Sequence, residues 1–125
     1  MKTIQIIGTN KCRHTRAAVR FFKERRIPFH FVDLSQRELS DGEFSSIVRA
    51  VGLENMIDIE GKEYQRLGLK YMTYDIESKL RENPKLLKTP IVRCGHKAAV
   101  GYDPEAWKSF LASIKGAFDA KNELL

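Results

Sequence analysis

Apolar residues in the first third of the chain occur at two spacings, one typical of strands and the other of helices. Residues 2–8 contain three isoleucines and end at a glycine, which predicts a short buried strand. From Cys12 or its neighbour to about Arg26, apolar positions recur every three or four residues, as on one helix face. A proline two residues later stops this helix, and residues 29–34 predict a second strand. The stripe expected to face inward consists of Ala17, Ala18, Phe21 and Phe22.

The middle of the chain predicts a block of helices. Ser40 and Glu43 have the spacing of a capping box, in which each side chain accepts a hydrogen bond from the other residue's backbone. The helix that starts there should run to about Val51, with Gly52 as its C-cap. Residues 54–83 contain short apolar groups separated by polar ones, which predicts several short helices.

The last third of the chain predicts a hairpin and a final helix. Residues 89–94 and 97–101 should form two strands, and the two residues between them make a tight antiparallel reversal. Asp103 provides an N-cap for the last helix, and Pro104 occupies its first position. The inward face of this helix is expected to consist of Trp107, Leu111, Ile114 and Phe118.

The order of these elements predicts the fold. It is strand–helix–strand, a helical block, then strand–strand–helix, which is the thioredoxin-like arrangement of an α/β protein with a mixed four-stranded sheet. The helical insertion covers approximately residues 40–85. A length of 125 residues is close to the most common domain size, so we expect a single domain over residues 1–125. Topology of this kind does not identify a function.

Composition excludes several classes of protein. Apolar residues make up 42% of the chain, but no apolar run approaches the roughly 20 residues that span a bilayer. The N-terminal apolar run is too short for a signal peptide. Two distant cysteines and three scattered histidines form neither a disulfide framework nor a metal site. We therefore expect a cytoplasmic protein that does not interact with membranes.

The positive charge is concentrated at the N-terminal end. Residues 1–30 carry a net charge of +7 and the rest of the chain −1, which gives +6 in total. Such a local positive field attracts nucleic acid, a membrane surface, an acidic protein or a small anionic substrate. The alternative interpretation is a solvated helix face without a partner.

The most informative residue for chemistry is Cys12, in the turn that opens the first helix. A helix N-terminus presents unpaired N–H groups and a partial positive charge, which favour a thiolate over a thiol. Lys11, Arg13 and Arg16 add cationic neighbours, and His14 either adds another or is simply solvated. Such surroundings lower a cysteine pKa from about 8.5 to roughly 3.5–7.5. We interpret Cys12 as a nucleophile; the alternative is a small buried residue.

A second feature is the Thr89-Pro90 pair at the start of the third strand. Proline is tolerated there because no hydrogen bond of the sheet is lost. In thioredoxin-like folds this proline is typically cis and faces the reactive cysteine, so we predict a cis peptide bond. An ordinary trans proline at a strand entry is the alternative.

Short motifs occur in a specific order along the chain up to about residue 114. They are Thr9-Asn10-Lys11-Cys12 followed by Arg16, Phe31-Val32-Asp33-Leu34, Tyr64-Gln65-Arg66-Leu67-Gly68-Leu69, Lys88-Thr89-Pro90-Ile91-Val92 and Val100-Gly101-Tyr102. Together they resemble the arsenate-reductase-like family. This family includes arsenate reductases, Spx-type transcription regulators and glutaredoxin-like proteins.

The resemblance implies a thiol oxidoreductase. Cys12 would attack an oxyanion or a disulfide and form a mixed disulfide with glutathione or another external thiol, with no bound cofactor. Arg16, one helical turn along, would help to hold the thiolate. The substrate, a small thiol or an anion, would be bound by Lys11, Arg13, Thr89 and Pro90.

Two departures from the family pattern narrow this expectation. Arsenate reductases of the family surround the oxyanion with three arginines, and the matching positions here are Asp58, Thr89, and Ala98 or Ala99. Without guanidinium groups the chain lacks a bidentate, charge-assisted clamp, so we do not expect efficient arsenate reduction. The second departure is that no resolving thiol stands beside Cys12.

Cys12 has no partner thiol in the sequence around it, because Thr15 stands where a C-x-x-C switch has its second cysteine. Cys94 lies about 13 Å along a strand that runs away from the site, whereas a disulfide needs Cα atoms within about 7 Å. We expect Cys94 to be a half-buried structural residue. A monothiol mechanism follows, in which an external thiol resolves the mixed disulfide.

The alternative function is an Spx-type regulator that binds RNA polymerase and uses its cysteine only to sense oxidation. The basic N-terminal third favours it, as does Gly52, which stands where that group keeps a glycine. Against it, the C-x-x-C sensor is absent and a C-cap already explains Gly52. Direct binding to nucleic acid is not expected, because the sequence has no recognised reader motif.

Overall fold

The computed structural model describes the backbone of residues 3–123 and the side chains of residues 3–114. Four strands form one mixed sheet in the order β2-β1-β3-β4. β1 pairs in parallel with β2 and antiparallel with β3, which pairs antiparallel with β4. This confirms the predicted thioredoxin-like sheet. The strands are β1 (Ile4–Gly8), β2 (Phe29–Asp33), β3 (Ile91–Cys94) and β4 (Lys97–Val100).

One face of the sheet is covered by two helices, α1 (Arg13–Glu24) and the last helix, Pro104–Glu123. Trp107 is buried there, with its ring centroid 5.4 Å from that of Phe21. The inward stripe of α1 differs from the prediction, because Thr15 is buried whereas Ala17 is only half-buried. On the last helix, Leu111 and Ile114 pack partly buried against this cluster as predicted, and the side chain of Phe118 lies outside the described residues.

Short helices cover the other face of the sheet, as predicted for the middle of the chain. Their apolar side chains, including Phe44, Ile47 and Leu80, pack against Ile7 and Ile91 of the sheet. The helices are α2 (Asp41–Val51), α3 (Leu53–Met56), α4 (Lys62–Arg66) and α5 (Ile76–Glu82), with 3₁₀ turns at Leu69–Tyr71 and Pro84–Leu86; the last helix, Pro104–Glu123, is α6. No helix in the described part of the chain is both long and apolar enough to cross a bilayer.

The predicted capping box at the start of α2 is confirmed. Ser40 Oγ accepts from the backbone N–H of Glu43 at 3.1 Å, and Glu43 Oε1 accepts from the N–H of Ser40 at 2.8 Å. Glu43 also accepts from Gln5 Nε2 at 2.8 Å, which links α2 to β1. The C-cap of α2 is Gly52, with φ of +82°, a conformation that favours glycine.

Strand register decides which loops meet at the same edge of the sheet. Ile7 pairs with Ile91, so the end of β1 and the start of β3 lie side by side. Gly8 pairs with Asp33, which places the end of β2 at this edge as well. Ile4 pairs with Cys94 at the opposite end of the strands. Cys12 and Cys94 are therefore separated by the length of the sheet.

Candidate functional site

Cys12 stands at the N-cap position of α1, after a tight turn that leaves β1. Its backbone N–H donates to the carbonyl of Thr9 at 3.1 Å, and its own carbonyl accepts from the N–H of Arg16 at 3.1 Å. The half-buried side chain therefore lies at the positive end of the helix, beside the first unpaired N–H groups.

Thr89 and Pro90 lie directly opposite Cys12. Thr89 Oγ1 donates to Cys12 Sγ at 3.1 Å, and the thiol also faces the Thr89 carbonyl, 3.7 Å away. The Thr89–Pro90 peptide bond is cis, and the Pro90 carbonyl accepts from Gly101 N–H at 2.8 Å. The structure thus brings together three residues that were predicted from distant parts of the sequence.

Thr15 is a site residue that the sequence interpretation missed. Its side chain is 0% exposed, and its hydroxyl, which has no hydrogen-bond partner of good geometry in the described part of the chain, lowers the pKa of Cys12. It packs against Gly8, where a Cβ atom would lie 2.7 Å from Thr15 Cγ2 and clash with Oγ1 as well. Gly8 therefore leaves room for the Thr15 side chain beneath Cys12.

Hydrogen bonds set the electrostatics of the thiol. Burial raises the pKa of Cys12 and is the largest single effect, but four donor groups around the sulfur together outweigh it. They are the hydroxyls of Thr15 and Thr89 and the backbone N–H groups of Thr15 and His14; of these, the Thr89 hydroxyl makes a hydrogen bond of full geometry, at 3.1 Å. The pKa of Cys12 is thus below its ordinary value, so more of the residue is thiolate at neutral pH.

The cationic side chains near Cys12 are exposed to solvent. Arg16 Nη1 donates to the Asn10 carbonyl at 2.8 Å, and Lys11 and Arg13 are exposed. The groups that lower the pKa of Cys12 are hydrogen-bond donors of Thr15, Thr89 and His14 rather than these three charges. A role of Lys11, Arg13 and Arg16 toward a bound substrate remains a prediction.

Tyr102 packs against His14, two residues after Cys12. The Tyr102 ring lies 5.5 Å from that of His14 and 5.5 Å from that of Trp107, yet its residue is 58% exposed. Gly101, with φ of +83°, turns the chain after β4 and brings Tyr102 toward α1. The sequence pointed to this residue only as part of the Val100-Gly101-Tyr102 motif.

The positions matched to an arginine clamp lie in different parts of the structure. Ala98 and Ala99 pair with Arg93 and Val92 inside the hairpin, so neither reaches the edge of the sheet that carries Cys12. The Arg93 guanidinium is engaged elsewhere, donating to Gln5 Oε1 at 2.6 Å and to Ser46 Oγ at 2.9 Å. Thr89 does face the thiol, but as a hydroxyl it supplies no positive charge.

A cleft of about 420 Å³ lies between the Cys12 turn, the end of β2 and the second 3₁₀ turn. It reaches the site at Lys11 and Thr89, and it is large enough for a small-molecule thiol. Charged groups of both signs line it, namely Lys11, Lys85 and Asp33.

Cys94 takes no part in the site. It is 2% exposed, within the cluster beneath α1 and α6, rather than half-buried as predicted, because β3 lies between β1 and β4. Cys12 and Cys94 do not form a disulfide. In the described residues, no three side chains of the metal-binding types come close enough to hold an ion.

Comparison with known proteins identifies the family. Residues 7–110 match the model of the ArsC family. This chain belongs to the ArsC family. It is 32% identical over 107 residues to an arsenate reductase of Neisseria meningitidis serogroup A, covering 81% of this chain and 92% of that one. It is 28% identical over 114 residues to the global transcriptional regulator Spx 2 of Oceanobacillus iheyensis, covering 87% and 84% of the two chains.

A solved structure extends the comparison to the fold. The arsenate reductase from Vibrio cholerae superimposes with a TM-score of 0.71 at 22% identity, covering 84% of this chain and 94% of that one. This likeness shows the fold alone. Because the relatives of this ArsC-family chain include both enzymes and regulators, its function has to be argued from the site.

Proposed function

We propose that this ArsC-family protein is a monothiol oxidoreductase whose nucleophile is Cys12. The observation that carries the proposal is the setting of the sulfur, which accepts a hydrogen bond from Thr89 Oγ1 at 3.1 Å while its pKa is lowered. A thiolate that is both stabilised and half-exposed is the form in which cysteine attacks disulfides.

The reaction is a pair of thiol–disulfide exchanges. The Cys12 thiolate attacks one sulfur of a disulfide, a new S–S bond forms, and the other sulfur leaves with the electron pair as a thiolate. An external thiolate, such as glutathione, then attacks the mixed disulfide and restores Cys12. Thr89, whose hydroxyl contacts the sulfur, would lie beside the bound substrate.

The single-thiol mechanism is supported by what surrounds Cys12. Thr15 supplies a hydroxyl where a second cysteine would close an internal disulfide, and Cys94 lies at the far end of the sheet. Arsenate is not the proposed substrate, because Asp58, Thr89 and the β4 alanines offer no guanidinium group to a tetrahedral oxyanion.

The proposal is tested by incubating the protein with glutathione disulfide and mapping the adduct by peptide mass spectrometry. We expect one glutathione on the Cys12 peptide and none on the Cys94 peptide. Cys12→Ser should lose both the adduct and thiol-dependent reduction of 2-hydroxyethyl disulfide, whereas Cys94→Ala should retain them. Modification of Cys94 alone would reject the proposal.

A matched variant tests the single-thiol mechanism. Thr15→Cys places a second sulfur three residues along the same helix, where side chains are about 5–6 Å apart, within reach of a disulfide. We expect this variant to release the bound glutathione and close an internal disulfide between Cys12 and the introduced sulfur, while the natural protein accumulates the adduct. Adduct release without added thiol in the natural protein would contradict the mechanism.

An Spx-type regulator is the second candidate, supported by the 28% identity to a protein named Spx 2 over 87% of this chain. In this case the chain would bind RNA polymerase, and Cys12 would act only as a sensor of oxidation. Capture of the purified polymerase by both the natural protein and Cys12→Ser, with no turnover of disulfides, would favour the regulator over the oxidoreductase.

A further inference from the structure

A line of basic side chains runs along the exposed face of α1. Arg13, Arg16, Arg20 and Lys23 are all exposed and follow one another at three- and four-residue spacing. This spacing keeps them on one side of the helix, over a length of about 15 Å. We call these four residues the α1 basic stripe.

The charge of the α1 basic stripe is not neutralised within the described part of the chain. None of its four cations forms an ion pair there, and the Arg16 guanidinium donates only to a neutral carbonyl. The insertion shows the opposite behaviour, since Arg37, Arg66 and Arg81 all contact carboxylates at 2.7–2.8 Å. The positive field of the stripe is therefore directed into solvent.

The stripe begins immediately beside the reactive sulfur. Arg13 follows Cys12 in the chain, and the half-buried His14 ring is covered by Tyr102, which is 58% exposed. Arginine and tyrosine are enriched at protein–protein interfaces, where tyrosine combines apolar area with a polar end. A partner lying along α1 would thus place its own sulfur over Cys12.

We propose that the α1 basic stripe docks an acidic protein whose disulfide exchanges with Cys12; the exchange itself rests on the proposed function. A membrane surface does not fit, because Phe21 and Phe22 face the core and leave α1 no apolar side for lipid. A nucleic acid fits less well, because the sequence has no recognised nucleic-acid-binding motif.

The exchange balances without a further reactant. The Cys12 thiolate forms an S–S bond with one sulfur of the partner's disulfide, and the partner's second sulfur leaves as a thiolate with the electron pair. Opposite charges along α1 raise the rate of encounter, and they do so most strongly at low ionic strength.

The test uses two synthetic peptides of equal length, one with glutamate and one with glutamine at the same positions. Each carries one cysteine as a mixed disulfide with 5-thio-2-nitrobenzoate, whose release is followed by absorbance. We compare the natural protein with Arg20→Gln/Lys23→Gln, which shortens the stripe far from the sulfur. Arg49→Gln/Lys62→Gln is the matched control, because it removes two exposed charges from the insertion.

We expect the glutamate peptide to react about tenfold faster than the glutamine peptide at low salt, and nearly equally at high salt. Arg20→Gln/Lys23→Gln should lose most of this difference, and the control pair should keep it. Equal rates for the two peptides at low salt, or an equal loss in the control pair, would overturn the proposal.

Two further readouts separate docking from chemistry. All variants should reduce 2-hydroxyethyl disulfide equally; failure of the natural protein to do so would reject the proposed function. Even in that case, docking is tested by fluorescence anisotropy with peptides in which serine replaces the cysteine. Only the glutamate peptide should bind. Tighter, stripe-dependent binding of a polythymidine oligonucleotide than of the glutamate peptide would overturn the acidic-protein partner in favour of nucleic acid.

Discussion

Two helix N-termini in this protein use the same position in opposite ways. At α2, the N-cap Ser40 accepts from Glu43 N–H, and the Glu43 carboxylate returns a contact to Ser40 N–H at 2.8 Å. At α1 the N-cap is Cys12, whose side chain makes no cap hydrogen bond and whose sulfur instead accepts from Thr89 Oγ1 at 3.1 Å. The first arrangement caps the start of α2, whereas the second places a nucleophile at the start of α1.

The contrast extends to the charges around each helix. Around α2, Arg37 pairs with Glu43 at 2.8 Å and Arg81 with Asp41 at 2.7 Å, so the charges at the start of this helix are paired. Around α1 the basic stripe has no such carboxylates in the described residues. The comparison thus contrasts paired charges at the start of α2 with charges along α1 that are unpaired in the described part of the chain.

Of the substitutions that test this comparison, Gly8→Ala is expected to reduce stability most. The new methyl group would meet Thr15 Cγ2 at 2.7 Å, so Thr15 or β1 has to move, at a cost of about 1–3 kcal/mol in the free energy of unfolding. The pKa of Cys12 should rise as the hydroxyl is displaced. Urea denaturation and alkylation of Cys12 against pH measure the two effects.

Gly42→Ala is the matched control for that substitution, because no atom lies within 4 Å of the added methyl group. Gly42 is within α2, where alanine is favoured over glycine by about 0.5–1 kcal/mol. A loss of stability in Gly42→Ala equal to that in Gly8→Ala would contradict the steric explanation.

A smaller effect, confined to the insertion, is expected from Glu43→Ala. This carboxylate accepts hydrogen bonds from Arg37, Ser40 and Gln5, and its loss removes the capping box, at a cost of about 1–2 kcal/mol. Chemical denaturation should show this loss while alkylation of Cys12 stays unchanged. A changed Cys12 pKa would show that the two regions are coupled.

Acid should lower the stability of the insertion, as Glu43→Ala does. The Arg37 guanidinium holds the pKa of Glu43 far below its ordinary value, and Arg66 lowers that of Glu63 to about 2. Both pKa values lie below the unfolded value of about 4.3, so their stabilising effect is complete above it and is lost as pH falls toward 2. Thermal unfolding between pH 6 and 2 should show this decline, and Glu43→Gln should flatten it.

Thr15→Val is expected to change stability least. It should nevertheless change the reactivity of Cys12. Valine keeps the shape of threonine but removes the hydroxyl, so the pKa of Cys12 should rise and alkylation at neutral pH should slow several-fold. Thr15→Ser is the control that retains the hydroxyl and should retain reactivity. Equal slowing in both variants would assign the effect to packing.

Local signals in the sequence predicted much of the fold. The capping box of Ser40 and Glu43 and the C-cap at Gly52 depend on neighbouring residues only, and both are present in the structure. Asp103 likewise accepts from Ala106 N–H at 3.1 Å at the start of α6. Cys12 and Thr89 were predicted to lie together, and they do, because the thioredoxin-like order of strands brings these loops to one edge.

The remaining site features depend on contacts between distant elements, which the sequence does not specify. The outward direction of Arg16 comes from its bond to Asn10, and the position of Tyr102 beside His14 comes from the turn at Gly101. Thr15 was within reach of sequence reasoning, because it falls three residues after Cys12 and on the inward stripe. Its fit against Gly8, however, is visible only in three dimensions.

The central claim is that the protein stabilises the thiolate of Cys12, and the rate of its alkylation against pH tests this most directly. Mass spectrometry of the two cysteine peptides follows Cys12 and uses the buried Cys94 as an internal control. We predict a midpoint for Cys12 below the ordinary value of about 8.5, moving upward in Thr15→Val. A midpoint at or above that value in the natural protein, unchanged by Thr15→Val, would contradict the account.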